Sequence, residues 1–395
     1  MRPDVQAATF NEYHEIIRCF SDDVLIAREL ELVEASAVPA DVVAQMGDLG
    51  LFGMTLPRKW GGLGWSMEEQ VLLTMEFTRA SCVYRSRFST TIGLSSQIIL
   101  DHGTPEQKSL YLPEMAEGRC VAAFALTEPE AGSDASSVST IARRDGQGWR
   151  LDGRKRFITN GAWADLLVIF ARDEQTASMC AFLVDRRSEG VTVQAAKTMN
   201  GHEAGPVAEI ELHDVKIGEE ALLGGEPGHG LRQALRGINH ARTHVAATAV
   251  GQALRLQMEA GVHAATRRQF GKPLVDIDTV AASLGTSYSE IEAGRTMVLE
   301  CARRFDNGPI PWQFIAATKL FCTEMVGRVA DRAVQILGGE GIVGDSPIPR
   351  MWRDVRALRI YEGASEVHQV NLGRHAARES AAAKTATKRP LKGCI

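Results

Sequence analysis

The chain has 395 residues, of which 45% are hydrophobic and 24% charged, and its formal charge is −5. That length allows two or three domains with a large buried core, and the composition is that of a globular protein rather than a fibrous or unfolded one. The mild acidity supplies no basic field of the kind that drives nucleic-acid binding.

In chain order, the opening MRPDVQAATFNEYHEIIRCF carries acids and lacks the apolar segment of a secretory leader. Residues 1–121 read as an N-terminal helical domain. Ser66 with Glu69, and Thr104 with Gln107, fit the capping box, and Pro105 suits a first helical position. Residues 122–230 change texture: WRLDGRKRFITN, ADLLVIFAR, MCAFLVD, VTVQA and AEIELHDVKI are short strand-like runs between Gly, Asp and Ser, which predicts a middle β-barrel or sandwich. Residues 231–378 return to apolar positions three and four apart over three long segments and a shorter terminal one, the pattern of a four-helix bundle. From 379 onward Lys384, Lys388, Arg389 and Lys392 follow with no further acid, as in a frayed basic tail. The predicted class is mainly α with a central β domain. No apolar run of about eighteen residues crosses a bilayer. Seven cysteines with no CxxC pair read as reduced thiols, so a cytoplasmic protein is expected.

Several motifs compete for a function. Gly339, Gly341 and Gly344 spell a literal GxGxxG, but it follows a helical run and precedes a loop containing Pro347 and Pro349. A nucleotide-binding turn must follow a strand and open a helix, so these glycines read as a helix stop. His240 and His244 have metal-ligand spacing, yet no third ligand follows at useful spacing and Ala241 stands where an HExxH glutamate would be. They read as surface or pocket histidines. ALTEPEAGSD (125–134) leaves a strand for a tight turn of small residues, where backbone N–H groups and the Ser133 hydroxyl can approach an anion. RIYEGASE (359–366) places Glu362 beside Gly363 and Ser365, which by itself reads first as an acidic helix start and only second as a catalytic base.

ALTEPEAGSD, KRFITNGAWAD (155–165), RRQFGKPL (267–274), QILGGEGI (335–342) and IYEGASE occur together and in order. The chain thereby resembles the acyl-CoA dehydrogenase family over roughly residues 1–378, including the helical, β, helical order. The resemblance implies a homotetrameric FAD enzyme that oxidises an acyl-CoA thioester to the 2-enoyl-CoA and passes electrons to an electron-transferring flavoprotein. In that chemistry a base takes the α-proton while hydride leaves the β-carbon for the flavin. A carboxylate in a dry slot is the suitable base, and the thioester oxygen needs hydrogen bonds as enolate charge develops.

Carried over residue by residue, the resemblance implies Glu362 as the base and Arg242, Tyr361, Gly363 and Ser133 at the substrate. It implies Leu126, Thr127, Ser133, Phe157 and Thr159 at the FAD. Arg267, Gln269, Phe270, Gln335 and Gly339 are expected at the FAD of a neighbouring subunit. Phe157 stands where many relatives have tryptophan, keeping stacking but losing an indole N–H. Ala364 replaces a common threonine and removes a hydroxyl contact to FAD, and Glu366 takes a cofactor position shared with glutamine. One branch of the family carries its base just before the arginine matching Arg242; here that residue is Ala241, which leaves Glu362.

Two rivals accompany this expectation. A sister enzyme on the same fold would act on a carrier-protein thioester or deliver electrons to oxygen. A non-enzymatic DNA-binding relative is disfavoured by the charge of −5 and by the presence of Glu362. STTIGLSSQIIL (89–100) is expected to line the acyl pocket.

Overall fold

The computed structural model describes residues 3–197, 199–205, 207–343 and 346–387. Eight helices come first: α1 (Pro3–Ala7), α2 (Phe10–Phe20), α3 (Glu29–Ala35), α4 (Ala40–Asp48), α5 (Met67–Phe77), α6 (Cys82–Thr90), α7 (Ser96–His102) and α8 (Pro105–Ala116). Local chemistry sets their starts. Thr9, Ser66 and Thr104 each accept from the third helical N–H while Glu12, Glu69 and Gln107 return the bond to the cap N–H. A π turn, Thr91–Ser95, joins α6 to α7, and Tyr13, Ile17, Leu73, Tyr84 and Phe88 bury one shared core beneath them.

The middle region is one seven-stranded mixed sheet: β1 (Ala122–Ala125), β2 (Ile141–Asp145), β3 (Gly148–Thr159), β4 (Leu166–Asp173), β5 (Met179–Asp185), β6 (Val191–Lys197) and β7 (Val207–Gly218). The order is β1-β4-β2-β3-β7-β6, with β5 on β4, and both β1 and β2 run parallel to β4. The run LLVIFA in β4 is buried on both faces, as an unalternating apolar strand must be. Leu167 and Ile169 meet Trp149, Phe182, Ile210 and Leu212, so the sheet wraps over its own core. Leu166, Val168 and Phe170 face Ile98, Leu112 and Ala234 of the helices instead. In β7, Ala208, Ile210 and Leu212 alternate inward with outward Glu209 and Glu211, as in a half-buried strand.

The C-terminal region comprises α9 (Gly230–Thr266), the short hairpin β8 (Arg268–Gln269) and β9 (Lys272–Pro273), α10 (Asp278–Asp306), α11 (Trp312–Leu337), α12 (Pro347–Ala357) and α13 (Ser365–Thr387). Small residues of α9 from Val245 to Ala253 pack with Ile291 and Val298 of α10 and with Cys322, Met325 and Val329 of α11. Each such aliphatic burial is worth roughly 1.5–3 kcal/mol. Two segments differ from expectation. Pro347 and Pro349 open α12 rather than lying in a loop, because proline fits the first helical turn and Ser346 Oγ accepts from Ile348 N at 3.3 Å. The helix α13 continues through Thr387, past the predicted tail start at 379; Lys388, Arg389 and Lys392 lie outside the described residues. Among the described residues no helix is long and apolar enough to cross a membrane.

Candidate active site

Between α12 and α13 the chain makes a corner whose backbone is unusual. Glu362 has φ 55° and Gly363 φ 101°. A non-glycine residue in the left-handed region costs roughly 1–3 kcal/mol and persists only where the surroundings enforce it. Two cations, one half-buried and one buried, do so here. Arg242 Nε, from α9, donates to the Glu362 carbonyl at 2.8 Å, and Lys319 Nζ, from α11, donates to the Gly363 carbonyl at 2.8 Å. Asn239 Oδ1 holds the far end of Arg242 at 2.8 Å. A Cβ on residue 363 would stand 2.9 Å from His368 Nε2 and 3.2 Å from Arg242 Nη2, so only glycine fits.

The Glu362 side chain is half-buried, and burial pushes its carboxyl up to about 7 against the opposing pull of Arg242, Lys319 and Arg85. Lys319 is fully buried, and burial draws its ammonium down to about 8 while Glu362 supports its charge. Burial also pushes His368 down to about 4, leaving a neutral ring beside the corner. Glu362 is therefore a carboxyl poised near neutrality, its backbone fixed and two cations nearby. Ala241, next to Arg242, is buried and offers no second proton acceptor. Tyr361 stands edge-on to His202 at 6.4 Å, and Ala364 serves as a helix start, its carbonyl accepting from Val367 N at 3.0 Å and His368 N at 3.2 Å. Glu366 is exposed in the first turn of α13, where the helix N-terminus favours an acid.

A second cluster joins the first two motifs. Thr127 O accepts from Arg156 N at 2.9 Å and Leu126 O from Lys155 Nζ at 3.3 Å, so ALTEPEAGSD lies against RFITN. The loop is anchored from below by Glu128, whose carboxylate meets Lys155 Nζ at 2.7 Å and accepts from Ser139 N, Ser139 Oγ, Thr140 N and Thr140 Oγ1 at 2.5–3.0 Å. The buried ammonium and these donors hold the Glu128 carboxyl well below its ordinary range, at about 2. Above this anchor Gly132 and Ser133 are exposed, and among the described residues their N–H groups meet no acceptor. Phe157 sits where the β3–β7 register shifts, with φ 57° and its ring 55% exposed under the Arg156 guanidinium. Thr159 ends β3 half-buried. Free N–H donors beside an upturned aromatic ring fit a phosphate-bearing cofactor with a planar ring system.

The third group lies at the far end of the bundle. The β8–β9 hairpin turns on Phe270 and Gly271, φ 54° and 78°, as a two-residue type I′ loop. Arg267 and Gln269 are exposed there and Phe270 is 90% exposed. Gln335 and Gly339 are exposed at the end of α11, and His263 Nδ1 lies 3.5 Å from Glu340 Oε2, which ties the two segments together. Among the described residues no hydrogen bond or ion pair links this rim to Glu362 or to the 126–134 loop. Gly338, φ 61°, stops α11 and a 3-10 turn follows, so the glycine run is a helix stop; Gly344 lies outside the described residues.

Some participants carried no signal in the sequence. Lys319 is a single cation on the apolar face of α11, and Arg85 is one of two arginines in CVYRSRFS, with nothing in the sequence to mark it out from Arg87. His240 and His244 are buried, not on the surface. His240 Nδ1 lies 3.2 Å from Gly93 O and His244 Nδ1 3.0 Å from Thr74 Oγ1, and burial keeps both rings neutral. Among the described residues no cluster of ligating side chains could hold a metal.

The comparisons agree with this layout. The family profiles described as acyl-CoA dehydrogenase N-terminal, middle and C-terminal domains match residues 9–119, 123–215 and 228–377. The chain is 34% identical to the 3-(aryl)acrylate reductase of Clostridium sporogenes and 34% identical to the caffeyl-CoA reductase-Etf complex subunit CarC of Acetobacterium woodii, in each case over 91% of this chain and 97% of the relative. A glutaryl-CoA dehydrogenase from Mycobacterium smegmatis, solved in complex with FADH2, superimposes with a TM-score of 0.88 at 27% identity, over 95% of this chain and 96% of that one. The chain belongs to the acyl-CoA dehydrogenase family and, with it, to the FAD-dependent enzymes.

Proposed function

We propose that this chain catalyses the α,β-dehydrogenation of an acyl-CoA thioester, with Glu362 as the base that takes the α-proton. The observation that carries the reading is the clamped corner: a carboxyl raised to about 7, on a backbone held left-handed by Arg242 and Lys319. A base with a pKa near the working pH is both deprotonated and basic enough to act. Bound FAD supplies the two-electron acceptor for the β-hydrogen. Leu126, Thr127, Ser133, Phe157 and Thr159 would hold its ring and pyrophosphate, and Ser133, Tyr361, Gly363 and Arg242 would meet the thioester. Ala364 lacks a hydroxyl for the cofactor, and exposed Glu366 is free to supply a contact. Arg267, Gln269, Phe270, Gln335 and Gly339 would reach the FAD of a neighbouring copy in a homotetramer. Their exposure within one chain supports this.

The names of the two 34% relatives favour a second reading, in which the net reaction runs toward the saturated thioester. The same residues serve it, with Glu362 returning a proton to the α-carbon. The Etf-complex relative supports an electron-transferring flavoprotein as the redox partner. One experiment tests the proposal. The purified protein should release FAD on denaturation, and anaerobic addition of a panel of saturated acyl-CoAs should bleach the flavin with enoyl-CoA as product. Bleaching only by an electron donor, followed by reoxidation with enoyl-CoA, would select the reductive reading. A flavin that responds to neither would reject both, and rapid oxygen consumption would mark an oxidase.

A further inference from the structure

His368 carries a buried nitrogen that nothing answers. It lies on α13, only 2% exposed, and its Nε2 has no hydrogen-bond partner. A buried polar atom left unpaired costs stability, and such atoms are rare enough in folded proteins to demand a reason. A second group with capacity to spare stands at the same corner. Arg242 gives Nε to the Glu362 carbonyl and Nη1 to Asn239 Oδ1, while among the described residues its Nη2 donates to nothing.

Both nitrogens reach the same spot. The point where a side chain on residue 363 would begin is 2.9 Å from His368 Nε2 and 3.2 Å from Arg242 Nη2. Glycine at 363 therefore leaves open the space in which ring and guanidinium can meet. The first turn of α13 carries the ring there, with His368 N donating to Ala364 O at 3.2 Å. Arg242 of α9 and Lys319 of α11 both face the ring and oppose its protonation. The carbonyls of Glu362 and Gly363 beside it already accept from those two cations. A neutral imidazole in that setting has one bare nitrogen to offer as an acceptor.

We propose that His368 is a positioning residue whose Nε2 accepts a hydrogen bond from Arg242 Nη2, fixing the guanidinium that holds the Glu362 corner. With no side chain at 363 to separate them, rotation of the ring or the guanidinium can join the two nitrogens. Nη2 carries two hydrogens, so one remains for the thioester. In this role His368 acts on the base through Arg242 and not on the substrate. The kinetic consequence rests on the acyl-CoA reading above; the bond itself does not.

The test uses the FAD-loaded full chain and whichever acyl-CoA reduces the flavin fastest. His368→Leu, which has no acceptor, should slow flavin reduction at saturating substrate about 10–100-fold, the range of a charge-assisted hydrogen bond. His368→Gln, whose amide oxygen can accept, should recover part of that loss. The loss should depend on the guanidinium: in an Arg242→Met background, adding His368→Leu should cost less than about twofold. An unchanged rate in His368→Leu, or an equal further loss in the Arg242→Met background, overturns the proposal. Solid-state 15N NMR of the histidine-labelled holoenzyme gives a readout independent of turnover, with the His368 signals assigned by their loss in His368→Gln. Near neutral pH the ring should be uncharged, with its proton on Nδ1 and a hydrogen-bonded Nε2 whose resonance shifts in Arg242→Met. A charged ring or a proton on Nε2 overturns the proposal. If Arg242→Met does not fold, the wild-type tautomer and the His368→Leu rate decide. Failure of every acyl-CoA to reduce the flavin would instead strike the dehydrogenase reading, and the NMR spectrum would still judge His368.

Discussion

The Glu362 corner and the Phe270 rim both hold non-glycine residues in left-handed backbone, yet they are opposites in every other respect. At the corner, a half-buried cation from α9 and a buried one from α11 fix consecutive carbonyls, and a glycine admits them. At the rim, Phe270 is 90% exposed on a two-residue turn, and Ile342 and Val343 are 69% and 67% exposed nearby. One chain supplies every contact that holds the corner and leaves the rim facing outward. Strain that is locked internally suits chemistry, where a small misplacement costs rate. An exposed aromatic on a rigid turn suits recognition of something outside the chain.

The sharpest way to break this contrast is to remove the carboxylate. Glu362→Gln should keep the fold and the flavin while lowering acyl-CoA-driven flavin reduction by at least roughly 10²–10⁴-fold. Near-normal reduction would show that the corner is rigid for another reason. Next in size is the clamp itself. Lys319→Met leaves the Gly363 carbonyl without its donor at a cost of about 1–3 kcal/mol, and it removes a charge that favours ionised Glu362. Thermal unfolding should move down, and the midpoint of the pH–activity curve should move up. A lower Tm with an unmoved midpoint would reduce Lys319 to packing.

The smallest effect is expected at the rim. Arg267→Ala should weaken FAD retention about tenfold through loss of one charge-assisted contact, while thermal unfolding of the FAD-free protein stays the same. Sedimentation should report an oligomer in which the rim is covered. A monomer that keeps FAD normally would erase the distinction between the two regions.

Much of this was legible in the sequence. Capping residues marked α5 and α8, the strand-like run ADLLVIFAR marked β4, and co-linear motifs named Glu362, Arg242 and Gly363, which do meet in space. What stayed hidden had physical reasons. Lys319 shares α11 with Arg328 and Arg332, and Arg85 shares α6 with Arg87, so no spacing rule singles either of them out. Pro347 and Pro349 looked like loop residues because proline breaks a helix interior, yet the first turn accepts them. The Ala-rich stretch after Glu379 looked like a tail by charge, whereas alanine and lysine favour helix. The left-handed φ of Glu362 follows from long-range contacts: Arg242 is 120 positions from Glu362 in sequence, and Lys319 is 44 from Gly363.

The central claim is that a carboxyl at position 362, raised by burial, is the proton acceptor. It is tested most directly by kcat/KM for flavin reduction across pH, since that parameter reports the free enzyme's groups. Because burial raises Glu362, the active carboxylate should be lost as pH falls through about 7 rather than near the ordinary 4.5. The account predicts a rate that climbs with pH, levels above a midpoint near 7, and loses that limb in Glu362→Gln. A profile already flat down to pH about 5, where an ordinary glutamate is still ionised, or one whose limb survives in Glu362→Gln, would contradict it.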